Sequence, residues 1–210
     1  RTAKLTLFRN RKPTMPSLTV YSDNAIEAAW FKNLHPIFEN AKTETILGRG
    51  KNCSVVENLI QYDRPDIILM SRDKALLVVE KTREVPTGHN VGQRVARLVR
   101  AIENNVPTIK YFPFDAKKHG KYAGLCNLNI RLLLAFDRMW KIHRTPIIAL
   151  NWKSDADGEL IDDGSEDDEI RVVIKNYVES SFDRDCPTFD QIKVNNDAEY
   201  TRRFGKKKAY

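Results

Sequence analysis

The stretches Pro65-Asp66-Ile67-Ile68-Leu69-Met70 and Leu76-Leu77-Val78-Val79-Glu80-Lys81-Thr82 decide the fold of this chain. Both are runs of large aliphatic residues bounded by polar turn residues, which is the pattern of a short buried strand. Only the residues 71–75 separate them, so the sequence predicts a hairpin of two antiparallel strands. One strand begins with a carboxylate and the other ends with one.

The start of one hairpin strand lies beside the end of the next, so we expect Asp66 and Glu80 to be neighbours at one edge of the sheet. Two close carboxylates repel each other, and Mg²⁺ relieves that repulsion with the hard oxygen ligands it prefers. The alternative is a pair of solvated strand-end carboxylates, or a carboxylate paired with a nearby arginine. The spacing alone favours neither interpretation.

Pro65-Asp66, thirteen intervening residues and then Glu80-Lys81-Thr82 resemble the core motif of the PD-(D/E)XK nuclease superfamily, which includes most type II restriction endonucleases. The resemblance covers roughly residues 24–114. It departs from the family at Thr82, which stands where the family usually has its catalytic lysine. Lys81 is displaced by one place, and side chains alternate faces along a strand, so Lys81 cannot simply replace that residue.

The resemblance implies a restriction-endonuclease-like α/β core, with a central mixed sheet flanked by helices. It implies a Mg²⁺ site, which Mn²⁺ can also fill, on Asp66 and Glu80 with the Lys81 carbonyl as a further ligand. It also implies a first-helix acid, Glu27, at the metal, and Gln93 or Arg94 orienting the scissile phosphate. The catalytic set that follows is Asp66, Glu80, Lys81 and Gln93, and the metal set is Asp66, Glu80 and Glu27.

The residues before the hairpin predict one helix and two further strands. Ser22-Asp23-Asn24 is a good N-cap cluster, and Ala25 to Asn40 has helical periodicity, with Pro36 as a kink or break. We expect Glu27 on this helix to face inward beside Trp30; an exposed first-turn acid is the alternative. Residues 43–47 and 53–61 read as strands.

The residues after the hairpin form a loop and then a helix, about Val91 to Asn104. The N-terminus of that helix is expected at the acidic edge, where backbone N–H groups suit a phosphate. Four residues of this region are predicted to contact nucleic acid: His89, Asn90, Arg94 and Arg97. For the arginines the alternative is a solvated helix face.

Beyond residue 107 the sequence predicts a strand over 108–112, a loop over 116–122, a helix over 127–143 and a strand over 145–152. The loop combines lysines with a histidine, a glycine and a tyrosine, which suits contacts to phosphates or base edges. Its predicted nucleic-acid contacts are Lys117, Lys118, His119 and Lys121. No histidine spacing indicates zinc.

The 210 residues fit one domain, with a core at about 24–152, a basic N-terminal arm at 1–19 and a C-terminal extension at 170–210. The net charge is +7, but residues 154–169 carry nine acids and no base, which leaves the rest of the chain at +16. We expect the acidic segment to be a solvated, mobile loop and the body to bind a polyanion. A mildly basic protein without such a partner is the alternative.

The three cysteines are widely separated and no apolar run is long enough to span a membrane, so the composition predicts a cytoplasmic protein. With the resemblance, these features predict a Mg²⁺-dependent endonuclease that hydrolyses double-stranded DNA, sequence-specific and of restriction type. The family implies a homodimer. Two rivals remain: a nuclease of the same fold acting on RNA or branched DNA, and a catalytically inactive nucleic-acid-binding module.

Overall fold

A computed structural model describes residues 17–87, 91–92, 94–120 and 123–208, without the side chains of 206–208. The elements in chain order are β1 (Leu18–Ser22), α1 (Ala25–Lys32), a 3-10 turn (Pro36–Phe38), β2 (Lys42–Thr45), α2 (Ser54–Leu59), β3 (Ile67–Ser71), β4 (Lys74–Lys81), α3 (Val95–Glu103), β5 (Thr108–Phe112), β6 (Asp115–Lys118), β7 (Gly124–Asn127), α4 (Arg131–His143), β8 (Ile147–Asn151), α5 (Asp168–Glu179) and α6 (Pro187–Lys208).

The architecture is α/β, with a mixed six-stranded sheet in the order β2-β1-β3-β4-β5-β8. The predicted hairpin is confirmed: β3 pairs antiparallel with β4, and Ile67 lies opposite Val79. β4, β5 and β8 are parallel to one another. The sheet therefore brings the N-terminal end of β3 together with the C-terminal ends of β4 and β5.

Each face of the sheet has its own hydrophobic core, because alternate residues of the central strands point to opposite sides. Leu77 and Val79 belong to one core, with residues of α1, α5 and the start of α6. Val78 belongs to the other, with residues of α2, α3 and α4. β6 and β7 form a separate antiparallel pair beyond the end of β5.

The predicted helix Ala25 to Asn40 is wrong in length. α1 ends at Lys32, and Pro36 begins a separate 3-10 turn, because proline lacks the N–H that a continuing helix needs. Asn24 caps α1 as expected, its Oδ1 accepting from the Glu27 N–H at 3.0 Å. Within α1, Ala28 and Phe31 are buried, whereas Ile26 is 78% exposed.

Three other local predictions are corrected. Residues 53–61 contain helix α2 and not a strand, since their apolar residues Val56, Leu59 and Ile60 share a helical face in the core. Residues 116–122 are not wholly a loop, because Ala116 to Lys118 continue β6. The helix over 127–143 starts only at Arg131, because Asn127 pairs with Asp115 in β7.

The ends of the chain also differ from the expectation. Leu18 to Ser22, partly inside the predicted arm, form an internal strand between β2 and β3; the rest of that arm, residues 1–16, lies outside the described residues. The predicted C-terminal extension contains α5 and α6, and near the end of α6 Arg203 pairs with Asp115 at 2.5 Å. In the described part of the chain, no helix is both long and apolar enough to cross a membrane.

The acidic segment 154–169 is not simply solvated. Asp167 is 3% exposed and accepts hydrogen bonds from Trp30 Nε1 at 2.8 Å and from the Tyr111 hydroxyl at 2.6 Å. Glu166 pairs with Lys153 at 2.5 Å. The segment is held against the sheet because its carboxylates find donors on the strands and helix beneath it.

Candidate active site

Asp66 and Glu80 meet as the hairpin predicts, at the end of β4. Asp66 is 8% exposed, and its Oδ2 accepts the Lys81 N–H at 2.8 Å, across the two strands. Glu80 is fully buried on the α3 side of the sheet. A single guanidinium nitrogen, Arg97 Nη1, lies 3.4 Å from Asp66 Oδ1 and 3.1 Å from Glu80 Oε1, so the two carboxylates are close neighbours.

The environment of this pair strongly disfavours two negative charges. Burial and the charge of Asp66 raise the pKa of Glu80 to about 7, against the lowering effect of Arg97 and Lys110. Burial likewise raises the pKa of Asp66, against the Lys81 N–H and Arg97. These carboxylates are poised to accept a cation, since it would offset both burial and mutual repulsion.

Arg97 and Arg94 on the α3 side supply positive charge to the pair. Arg97 donates through Nε to Asp63 at 2.8 Å and through Nη1 to both Asp66 and Glu80. Arg94 Nη1 lies 3.0 Å from Thr82 Oγ1 and 3.5 Å from Glu80. The predicted nucleic-acid contacts Arg94 and Arg97 therefore face the acidic centre of the site. The Arg97 side chain is 20% exposed and so does not lie on a solvated helix face, whereas the Arg94 side chain is 42% exposed.

Lys110 was missed by the sequence analysis. In the parallel pairing of β4 with β5 it lies opposite Glu80, on the same side of the sheet, and it is only 1% exposed. Burial lowers the pKa of Lys110 to about 8, although Glu80 raises it. Among the described residues, no carboxylate lies within 4.0 Å of its ammonium. The signal was a lone lysine inside the apolar strand Thr108 to Phe112.

Lys81 lies on the opposite side of the sheet from Glu80, as strand alternation requires. Its Nζ sits 4.4 Å from the ring centre of Trp30 and 4.6 Å from that of Trp152. Glu27 Oε2 is 3.5 Å from the same ammonium. The Lys81 side chain is therefore enclosed by two indole rings and paired with a carboxylate.

Glu27 faces inward beside Trp30 as expected, but it does not share a site with Glu80. Burial raises the pKa of Glu27, while Lys81 lowers it. Its Oε2 is buried and accepts no hydrogen bond in the described structure. Within the described ranges no three Asp, Glu, His or Cys side chains are placed to ligate one metal ion together.

The predicted residues of the 116–122 region lie at a separate place. Lys117 and His119 both contact Glu159, at 3.3 and 2.7 Å, and Lys118 is exposed beside them. Four predicted site residues lie outside the described residues: His89, Asn90, Gln93 and Lys121. The described candidate active site is thus Asp66, Glu80, Lys110, Arg97 and Arg94.

Two carboxylates fit a Mg²⁺ site of the kind that uses one or two protein carboxylates and takes its other ligands from water and substrate phosphates. The donor chemistry also suits the ion, because carboxylate oxygens are the ligands that Mg²⁺ prefers. The same geometry suits the arginine-paired alternative, since Arg97 already contacts both carboxylates.

Comparison with known proteins adds no name to this arrangement: no family model, no curated protein and no solved structure gives a significant match to the chain.

Proposed function

We propose that the chain is a Mg²⁺-dependent endodeoxyribonuclease with a PD-(D/E)XK, restriction-endonuclease-like core. The observation that carries the proposal is the convergence of Asp66, Glu80 and the buried Lys110 on three adjacent strands, with Lys110 directly opposite Glu80. Burying two acids and a lysine together has no benefit for packing. Strongly perturbed ionisable groups gathered at one edge of a sheet are typical of active sites.

Asp66 and Glu80 would hold the metal ion. A bound Mg²⁺ supplies an acidified water as nucleophile and positive charge at the leaving oxygen. The protein groups do the remaining work. Arg97, which neutralises both carboxylates in the free protein, would direct its donors to a phosphate oxygen once a cation takes the carboxylates.

Lys110 takes the role that Thr82 cannot fill. Its ammonium comes from β5, on the same side of the sheet as Glu80, and so reaches the site that a lysine at position 82 would reach from β4. There it would orient the attacking water and hold a proton during phosphodiester cleavage. Although the motif lysine is missing at position 82, Lys110 therefore provides a candidate proton carrier for the proposed reaction.

A catalytically inactive nucleic-acid-binding module is the second candidate. One observation favours it: Arg97 contacts both carboxylates and so provides the cation that a metal ion would otherwise supply. In that case the acidic pair serves to hold α3 against the hairpin.

Cleavage of plasmid DNA by the wild type, by Asp66→Asn and by Asp63→Asn, each with and without Mg²⁺, separates the two candidates. Asp63 is the matched control, because it pairs with Arg97 but does not contact Glu80. We expect Mg²⁺-dependent cleavage that Asp66→Asn reduces by at least ~100-fold and Asp63→Asn by less than ~10-fold. Discrete fragments indicate sequence-specific cutting, and a smear indicates its absence.

Intact plasmid with all three proteins, combined with retained DNA binding, would reject the nuclease and favour the binding module. Cleavage of RNA but not of DNA would make RNA the substrate and leave the proposed catalytic residues unchanged. Calorimetric titration of Mg²⁺ into the wild type and Asp66→Asn tests the metal site independently of cleavage.

A further inference from the structure

A second polar cleft lies beside the loop that leaves Glu80. It has a volume of about 350 Å³ and lies between the residues 83–87, the β6–β7 hairpin and the acidic segment. Three cationic side chains line it, Arg83, Lys117 and Lys118, together with His119 and the two carboxylates Glu84 and Glu159. We call this the cationic cleft.

The floor of the cationic cleft is apolar and fixed. Val85 is 8% exposed and Ala116 is 4% exposed, and Leu160 completes the wall. The hairpin that carries the lysines is anchored by Asp115, whose two carboxylate oxygens accept from Arg203. A rigid apolar floor with a cationic rim suits a flat, partly apolar ring that carries a phosphate.

Carboxylates of the acidic segment already lie on these cations. Asp162 Oδ2 is 2.6 Å from Arg83 Nη1, and Glu159 contacts both Lys117 and His119. The segment is fixed there by the Lys117 N–H, which donates to the Gly158 carbonyl at 2.7 Å. Because carboxylate and phosphate oxygens pair with the same donors, Glu159 and Asp162 occupy positions where phosphate oxygens would bind.

The size of the cationic cleft selects the ligand. A DNA duplex, whose major groove alone is about 12 Å wide, does not enter a space of this volume, whereas a single nucleotide taken out of the stack does. Arg83 is three residues from Glu80 in the chain, so the cleft begins close to the end of β4, and Arg83 lies 5.9 Å from the ring centre of Trp152 on the Lys81 side of the sheet.

We infer that the cationic cleft binds one unpaired nucleotide of the substrate strand next to the cleavage site, with its phosphate on Arg83, Lys117 and Lys118. The inference rests on the proposed nuclease function for the choice of DNA as ligand. It names the substrate class more closely: DNA with an unpaired nucleotide, such as a single-stranded extension, is preferred over fully paired DNA.

The test measures DNA binding without cleavage, by fluorescence anisotropy in the Asp66→Asn background without divalent metal at ~50 mM salt. Two labelled DNAs are compared, a blunt duplex and the same duplex with a short 3′ or 5′ single-stranded extension. We expect the extended DNA to bind ~10-fold more tightly, since its unpaired nucleotide adds a phosphate to the cleft cations and a base to the apolar floor.

Three variants locate the effect. Lys117→Ala/Lys118→Ala should remove the ~10-fold preference for the extended DNA, whereas the charge-matched control Lys74→Ala/Lys175→Ala, on exposed lysines away from the cleft, should keep it. Glu159→Gln should bind the extended DNA ~3-fold more tightly, because a competing carboxylate is lost. Equal unfolding midpoints for all variants exclude a folding defect.

Equal affinity for the two DNAs would overturn the inference and leave the proposed nuclease standing. The inference would also be overturned if the control variant Lys74→Ala/Lys175→Ala lost the preference for the extended DNA as fully as Lys117→Ala/Lys118→Ala. The preference would then not depend on the cleft. Binding of neither DNA would overturn the inference together with the DNA substrate of the proposed function.

Discussion

Lys81 and Lys110 are both largely buried lysines at the same end of the central sheet, yet their surroundings are opposite. Lys81 lies between Trp30 and Trp152 and pairs with Glu27, so its charge is compensated by local contacts. Lys110 lies on the other side of the sheet, where its pKa is lowered by burial. The two lysines therefore differ in how far the cost of burying their charge is compensated: close contacts offset it for Lys81 and only weakly for Lys110.

The physical difference lies in what each lysine loses on burial and what it gains. A buried ammonium loses its hydration, and that loss is offset only by close ion pairs or aromatic faces. Lys81 has both, within 4.6 Å. Lys110 has one longer cation–π contact, 5.6 Å from the ring centre of Phe112, and the longer-range field of Glu80 and Asp66, which raises its pKa without restoring the ordinary value. The proposed proton-transfer role gives a reason for a buried lysine that is compensated so weakly.

The largest expected effect is on cleavage. Lys110→Met should reduce Mg²⁺-dependent DNA cleavage by at least ~100-fold, because it removes the proposed proton carrier. Its unfolding midpoint in urea should be equal to or higher than that of the wild type, since a side chain of similar volume replaces a buried, weakly compensated charge. A variant that cuts normally and unfolds at lower urea would place Lys110 with Lys81 as a structural lysine.

The pH dependence of stability should follow Glu80. The pKa of the unfolded carboxyl lies near its ordinary value of 4.5, whereas burial and Asp66 raise the pKa of Glu80 in the folded protein to about 7. Between these values the folded protein keeps a proton that the unfolded chain releases, so stability falls as the pH rises from 4.5 to about 7.

Glu80→Gln lacks the carboxyl group and so should not lose stability between pH 4.5 and about 7. The difference in unfolding free energy between this variant and the wild type should therefore increase by about 1–3 kcal/mol across that pH range, in favour of the variant. Urea unfolding of both proteins at several pH values measures the difference. A difference that stays constant across the window would mean that Arg97 and Lys110 fully compensate the Glu80 carboxylate.

The smallest effect is expected on the other side of the sheet. Lys81→Met should lower the unfolding free energy by about 1–2 kcal/mol, because it removes two cation–π contacts and leaves Glu27 without its ion pair. Lys74→Met, at the exposed start of the same strand, is the control and should change stability by less than about 0.5 kcal/mol. Cleavage by Lys81→Met should stay within ~3-fold of the wild type; a loss as large as that of Lys110→Met would erase the contrast between the two lysines.

The sequence by itself determined the hairpin and the meeting of its two carboxylates. The apolar runs are short, rich in β-branched residues and separated by a tight turn, so only one pairing of β3 with β4 buries them both. Strand alternation also fixed Lys81 on the side away from Glu80. The strands 108–112 and 147–151 followed from the same kind of pattern.

Only the tertiary structure decided which charges surround the carboxylates. Lys110 is thirty residues beyond Glu80 in the chain and reaches it because β4 and β5 are parallel neighbours, which no local pattern specifies. The same holds for Arg97, whose helix packs against the hairpin, and for Glu159, which lies on the cleft lysines. Periodicity reports which residues share a face of one element, whereas contacts between elements depend on how the elements pack.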